Sequence, residues 1–432
     1  MKRFWMLALL MAGMLALPLG SAAFAKSSES MDNSSDDSSM EDVNSALGTM
    51  SAHMNDIDKT LGLKFFGDVR LRYAFICQGA SQAGSTIADS SRGRYRARFG
   101  ATKKLGDFTA NFRIATGSTA GIFSQNNTFD TAMSNPGILI DTANIRWEPS
   151  FANGLFSITA GKMSNPLTRT AITFDPDIQP EGVALEVKKN DLTFRATYFE
   201  LQNLYASGTT FGNVDLFMDN LQLEYNYKFD TDTVLGLLAG YEYIPNAAWL
   251  VVSGVNTTLG KNPITAFGGL ADPFGAYRDW NNVEGMISFK HKLGDVPMKW
   301  YVHVTDNLNG VNLPQAGNVY SPTFTNQYAW LAGVDIGATH GPGDFAGTIY
   351  IASLDPNATL PVLTDDDPGE TNRQYIFGSL TLQVDNGVQM KLSEWAVNHE
   401  YYAVPGIGGP TALGGSSSNP ELVSYLDCIL SM

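Results

Sequence analysis

Arg92, Arg94, Arg96 and Arg98 alternate with Tyr95, Ala97 and Phe99. Side chains on an extended strand point alternately to opposite faces, so four arginines spaced by two share one face. That face must be wet, and the other is apolar enough to meet lipid. The same alternation recurs from Leu63 to Met432 in segments of roughly 10–14 residues, joined alternately by tight turns and long loops. The pattern predicts an all-β fold: a transmembrane antiparallel up-and-down β-barrel of about 16 strands with a polar interior.

The first residues fix the compartment. Lys2 and Arg3 are basic, Phe4 to Leu19 are almost wholly apolar, and Ala23-Phe24-Ala25 is a small-x-small cleavage site. Residues 1–25 are therefore expected to be a cleaved signal peptide, with a mature start near Lys26 and an address in the outer membrane of a Gram-negative-type bacterium. No cysteine follows the cleavage site, so no lipid anchor is expected. Past this leader no stretch reaches the ~18 consecutive apolar residues of a spanning helix. Apolar residues still make up 44% of the chain, beside 42 glycines. They could fill two or three soluble cores or face outward into lipid, and the regular connections favour the outward wall. Without Lys2 and Arg3 there remain 26 basic against 43 acidic residues, which argues against a nucleic-acid partner.

Residues 26–39, rich in Ser, Asp and Asn, read as a disordered polar linker. Met40, Val43, Leu47, Met50, Met54, Ile57 and Leu61 then recur at alternating spacings of three and four, an a/d seam that predicts a short helix over 40–62. So short a helix is marginal alone and needs a partner, either the same seam of other protomers or the protein's own turns. The barrel is expected over 63–432. Its short connections are Lys103 to Asp107, Glu148 to Gly154, Lys188 to Asp191, Lys228 to Thr233, Lys292 to Val296, Ala338 to Asp344 and Val384 to Gly387, most with Gly, Asp or Asn. Eight longer connections lie between them, the longest from about Ala247 to Asp279. A β-sandwich would not sort its connections so consistently into short and long sets. Cys77 and Cys428 fall on the first and last strands, roughly eight residues apart along the pairing and on the order of 27 Å, so no disulfide is predicted.

Several segments resemble a family of bacterial putative porins. They are Phe65 to Tyr73, Arg92 to Gly100, Asp107 to Gly117, Asp141 to Pro149, and a strand ending Ala160-Gly161-Lys162-Met163-Ser164-Asn165-Pro166. The likeness in residue type runs from Leu63 to about Pro166, and architecture and turn spacing continue it. The resemblance implies an outer-membrane diffusion channel, embedded in lipid and oligomeric, with a homotrimer as the expected state. One departure is the C-terminus, Asp427 to Met432, which ends on Met where such strands typically end on an aromatic residue.

Eight of the thirteen arginines fall on the first four strands: Arg70, Arg72, Arg92, Arg94, Arg96, Arg98, Arg113 and Arg146. Alternation assigns them to the lumen, because a cation facing lipid at mid-membrane costs about 2–4 kcal/mol. The connection from Ser164 to Glu181 is the third long loop, and general porins fold that loop inward. By that analogy Asp175, Asp177 and Glu181 would face the arginines and set a transverse field across an eyelet. The plainer alternative is that the arginines pair with lumenal acids such as Asp68 and Glu186. No enzyme signature stands out. His53, His291, His303, His340 and His399 lack metal-ligand spacing, and Gly406 to Gly409 lack the strand-to-helix setting of a phosphate cradle. Asp365 to Asp367 could hold a calcium ion or form a solvated acidic loop. The expectation is a porin passing small hydrophilic solutes or ions with no cofactor and no metal. The competing class is a structural or adhesive barrel that anchors the envelope or presents its loops.

Overall fold

The computed structural model describes residues 62–77, 90–117, 125–129, 135, 137–202, 216–245, 279–309, 327–355, 358–360, 363–365, 367–368, 373–399 and 421–431. The expected leader, the linker and the seam from Met40 to Leu61 lie outside the described residues.

Sixteen antiparallel staves close on themselves. They are β1 (Leu63–Cys77), β2 (Ser90–Leu105), β3 (Phe108–Gly117), β4 (Gly137–Trp147), β5 (Phe156–Lys162) and β6 (Glu181–Lys189). Next come β7 (Leu192–Gln202), β8 (Leu216–Lys228), β9 (Val234–Ile244), β10 (Trp280–Leu293) and β11 (Val296–Asn307). The last are β12 (Tyr328–Gly337), β13 (Phe345–Leu354), β14 (Arg373–Asp385), β15 (Val388–His399) and β16 (Glu421–Ser431). A two-residue strand, Asn127–Thr128, adds to the loop end of β2. The ring shuts where β1 pairs with β16, from Asp68 opposite Ser431 to Cys77 opposite Leu422. Cys428 faces Leu71, six positions from Cys77 rather than about eight, and no disulfide joins them. Among the described residues no helix is long and apolar enough to cross a membrane, which does not bear on strands.

All seven short turns fall between the strands where the sequence places them, most of them on Gly, Asp or Asn. Gly106, Gly294 and Gly387 hold φ of +60°, +62° and +75°, and Asn190 holds +54°, the left-handed region that tight hairpins require. The second turn is longer because a 3-10 turn, Ser150–Ala152, sets Phe151 beside Trp147 and Phe156. In the turn after β12 the Asp344 carboxylate accepts the backbone N–H groups of Gly341 and His340, which holds it below the usual carboxylate range.

The outer face is the apolar one. Leu71, Tyr73, Leu221, Leu223, Trp300, Val302 and Val304 are exposed. Aromatic rings gather at both rims: Phe108, Trp147, Phe151 and Phe156 near the turns, and Tyr198, Phe217 and Tyr243 near the loops. This is the band-and-girdle pattern of an outer-membrane barrel.

The inner face is not uniformly polar, a correction to the expected interior. Tyr350, Tyr375, Phe377, Trp395 and Tyr425, on β13–β16, are inward and buried, and Ile172 packs among them at 0% exposure. A second apolar group joins Phe174 to Phe199, Met218, Ile244 and Trp280. Both groups exist because the loop from β5 to β6 enters the lumen and covers them, each buried side chain contributing roughly 1.5–3 kcal/mol.

At the strands that bracket this loop, Gly161 lies opposite Gly182. A side chain on Gly161, at φ +115°, would run into the backbone carbonyl of Ala143. Gly161→Ala should therefore lower the urea midpoint of the detergent-folded barrel, at a cost of about 1–3 kcal/mol. Gly154→Ala, also at positive φ but with open space around it, should cost less. Equal midpoints for the two variants would rule out the close approach.

Candidate functional site

The connection from Met163 to Pro180 is pinched at its neck, where the Met163 N–H donates to the Pro180 carbonyl at 2.9 Å. From there it runs across the lumen rather than out to solvent. Its first limb lies on β8–β11. Thr168 donates its N–H to Gln222 Oε1 at 2.8 Å, and Gln222 returns a bond to the Thr168 carbonyl at 2.9 Å.

Arg169 is the main fastening. Its guanidinium reaches Glu284 at 2.9 Å, Glu242 at 3.1 Å and Asn220 at 2.5 Å. Arg169, Glu242 and Glu284 side chains are all under 10% exposed, so the charges are paired out of water and gain full effect only together. His303 extends the network: Nε2 lies 3.2 Å from Glu284 Oε2, and Nδ1 lies 2.7 Å from Thr170 Oγ1. A ring with a proton on Nε2 donates it to the Glu284 carboxylate, and Nδ1 meets the Thr170 hydroxyl. Arg195 forms a neighbouring knot with Glu186 at 3.0 Å and Glu224 at 2.9 Å.

Beyond Arg169 the chain turns. Phe174 N–H bonds the Thr170 carbonyl at 3.2 Å, and Ile172 enters the aromatic wall. The loop after β13 clasps this turn from the other side: Asp175 N–H donates to the Leu363 carbonyl at 2.6 Å, and Asp365 N–H to the Ala171 carbonyl at 3.3 Å. The return limb then faces the arginines of β2.

The arginines stand inward as alternation requires, and most meet acids. Arg96 reaches Asp68 at 3.0 Å and Asp177 of the loop at 3.6 Å, and Arg98 reaches Asp68 at 2.6 Å. Arg72 makes a two-pronged pair with Asp427 at 2.7 and 3.0 Å and lies over the Tyr425 ring at 4.1 Å. Asp367 stands 3.9 Å from Arg72 and accepts the Tyr425 hydroxyl at 3.0 Å. Arg70 donates to Asn126 at 2.7 Å. Arg94 is half-buried and Arg92 exposed toward the loop end. Arg146 lies near the turn rim, 3.5 Å from Glu186 and 3.6 Å from Glu148.

Arg113 pairs with Asp141, which also accepts Gln125. Here a β-bulge decides the geometry. Arg113 is opposite Thr142 and Ile114 is opposite Ile140, which leaves Asp141 as the extra residue. The bulge turns Asp141 and Thr142 inward together, so an acid meets Arg113 that strict alternation would send to lipid.

Of the three loop acids singled out from sequence, Asp177 meets the arginines. Asp175 is 2% exposed and folds back, accepting the Asp177 N–H at 2.7 Å. Glu181 stands on the outer face of β6, 64% exposed and 2.8 Å from Lys162, apart from the arginine strip. Arg169, Glu242 and Glu284 were not picked out from sequence. Their signal was there: an arginine inside the third long loop, and acids at inward positions between apolar neighbours. Among the described residues no group of three or more His, Cys, Asp or Glu side chains is placed to hold a metal ion.

Residues 78–235 match the family described as putative porin, which bears out the resemblance read in the first strands. Among solved structures, the high-pH structure of Pseudomonas putida OprB superposes with a TM-score of 0.53 at 10% identity, over 86% of this chain and 94% of that one. Salmonella typhi OmpF in complex with daunomycin gives 0.47 at 11% identity, over 86% and 97%. At 10% identity the OprB likeness concerns the fold alone. Comparison with curated proteins gives no significant match.

The fastening leads to a direct test. Arg169→Met leaves Glu242 and Glu284 without their cation, a loss on the order of 3–5 kcal/mol if the loop stays seated. The loop should instead lift, seen as faster amide exchange over residues 164–175. Adding Glu242→Gln and Glu284→Gln to Arg169→Met should recover most of the protection. Unchanged exchange in the single variant would show that the apolar tip alone seats the loop.

Proposed function

We propose that this porin-family barrel is a passive channel of the outer membrane, through which small hydrophilic solutes or ions cross a water-filled lumen. The family match and the porin-like fold support an outer-membrane channel in general. The observation that carries the finer reading is the pairing of an apolar outer wall with a charged inner one spanned by an inward loop. Such a wall has no use for cations and acids unless water reaches them. Work of this kind needs no cofactor and no chemistry, only width and charge.

The constriction is bordered by the place where the return limb of the loop meets the arginine strip, with Asp177 and Arg96 in contact at 3.6 Å. Arg96 and Arg98 meet two acids, Asp68 and Asp177, while Arg70 in the same strip bonds a neutral partner, Asn126, so the strip keeps a local excess of positive charge. Selectivity follows charges at the narrowest point, where screening is weakest, so the pore favours anions although the whole chain is acidic. The aromatic wall buried under Ile172 favours a second reading, a closed structural or adhesive barrel, because those inward rings are covered rather than open to a channel.

Planar-bilayer recording of the purified protein separates the two, with current steps expected for a channel and none for a closed barrel. In a salt gradient, Arg94→Gln with Arg96→Gln should reduce anion preference, most visibly at low ionic strength. A reversal potential equal to that of the unsubstituted protein would remove the arginines from the constriction.

The proposal extends to assembly as a homotrimer through the seam of Met40, Val43, Leu47, Met50, Met54, Ile57 and Leu61. Its support is the a/d spacing, which makes an apolar stripe too narrow and too short to persist alone. Changing Leu47, Met50 and Met54 to Ser should weaken the oligomer while each barrel stays folded, since barrel strands pair within one chain. Mass measured in detergent decides it: a monomeric unsubstituted protein, or a fully trimeric triple variant, would exclude the seam.

A further inference from the structure

We propose that the turn-side half of the lumen wall carries a binding site for a small zwitterion, a free amino acid with an apolar side chain. The inference rests on the water-filled lumen argued above. A cavity of about 200 Å³ lies under the loop segment Thr168 to Ala171, walled by Met286, Lys299, Tyr301, Leu331, Asp335 and Tyr350. It is smaller than the roughly 300–1,000 Å³ pockets that take drug-sized ligands, so its occupant has few atoms.

Two charges in this cavity stand opposite each other without pairing. Lys299 on β11 and Asp335 on β12 are register partners on the inner face. Opposite charges so placed ordinarily join. Here Lys299 instead extends over the Tyr301 ring, with Nζ 5.2 Å from its centre, and makes no ion pair among the described residues. Asp335 uses one oxygen, Oδ1, which accepts from Thr348 at 2.9 Å and from Tyr301 at 3.5 Å. Its Oδ2 is left over. Both residues are only half-buried, so each is open to the lumen.

The other charged groups at the roof already have their counter-charges or partners. Arg169 is held by Glu242 and Glu284, and Thr170 by His303. The cavity therefore offers one ammonium and one carboxylate oxygen, and a ligand with a carboxylate and an ammonium on one carbon answers both. An anion alone would leave Asp335 facing it, and a cation alone would leave Lys299. Gly333 builds the floor. A side chain there would meet Tyr350 Cβ at 2.6 Å and Tyr301 Cζ at 3.0 Å, so glycine is what lets the two tyrosines close up. Their rings, with Met286 and Leu331, present an apolar surface to the ligand's side chain.

The test is calorimetric titration of the detergent-solubilised full chain with L-leucine, L-leucinamide and 4-methylpentanoate. L-leucine should bind saturably, about tenfold more tightly than the amide, which lacks the anion, or the acid, which lacks the cation. Lys299→Met and Asp335→Asn should each weaken L-leucine about tenfold. The exchange Lys299→Asp with Asp335→Lys keeps both charges and should retain binding, with folding of every variant followed by gel migration without heating. No saturable L-leucine binding, or equal binding of all three compounds, would overturn the site. Current steps without L-leucine binding overturn the site and leave the channel. Binding without current steps supports the site and overturns the channel.

Discussion

A strand that crosses hydrocarbon cannot leave a backbone N–H without an acceptor, because no water is there to take its place and each unmet group costs several kcal/mol. In this chain the requirement is met by the pairing of β1 with β16, which turns a sixteen-stave sheet into a ring without edges. Closure then fixes parity all the way round. Once Leu71 faces lipid, Arg72 must face the lumen, and Asp427, opposite Arg72 in the register, must face it too. The Arg72–Asp427 pair is thus a consequence of the seam that closes the barrel.

Parity alone would give an inner face of similar character all round, and this one has three territories. The strip on β1–β4 is rich in arginine. The wall on β8–β11 carries Glu224, Glu242, Glu284 and His303 among carboxamides. The wall on β13–β16 is aromatic. The loop after β5 meets all three, with Arg169 at the acidic wall, Ile172 in the aromatic one and Asp177 at the basic strip. Rings as large as Phe377 and Trp395 can face inward because Ile172 and the segment after β13 keep water off them. Shape and charge of the lumen are therefore properties of the loop as much as of the strands.

The staves and turns were legible in the sequence because alternation and turn glycines are local signals. Arg92 to Phe99 declare their faces within eight residues, and Gly106, Gly294 and Gly387 sit where hairpins need positive φ. What was not legible depended on distant partners or on a break in the period. Asp141 turns inward through a bulge, which shifts parity by one residue and leaves no mark in composition. Chain order groups Glu181 with the inward loop, yet Lys162 opposite it on β5 fixes it as the first residue of β6, on the outer face. The aromatic wall was hidden for a similar reason. Inward rings on a barrel read as misplaced until the loop residue that covers them, 178 to 253 positions away, is known.

The order of charges along the loop completes the account of why it docks one way round. Strands β1 and β2 stand half a ring away from β9 and β10. On the first wall Arg96 and Arg98 share one acid, Asp68, so cations are in excess. On the second, Glu242 and Glu284 share one cation, Arg169, which the loop itself provides. A barrel without its loop would hold facing walls of opposite surplus charge. The loop relieves both, placing its arginine against the acids and its aspartate against the arginines. Reversed, it would set Arg169 beside Arg96 and Asp177 beside Glu242. Each such reversal exchanges an attraction for a repulsion of about 4 kcal/mol at 4 Å and an effective dielectric of about 20, before any desolvation. Two contacts of that size exceed what the apolar tip gains from burying Ile172. The electrostatic sequence Arg169 to Asp177 therefore sets the direction of docking, and the hydrophobic tip sets its depth.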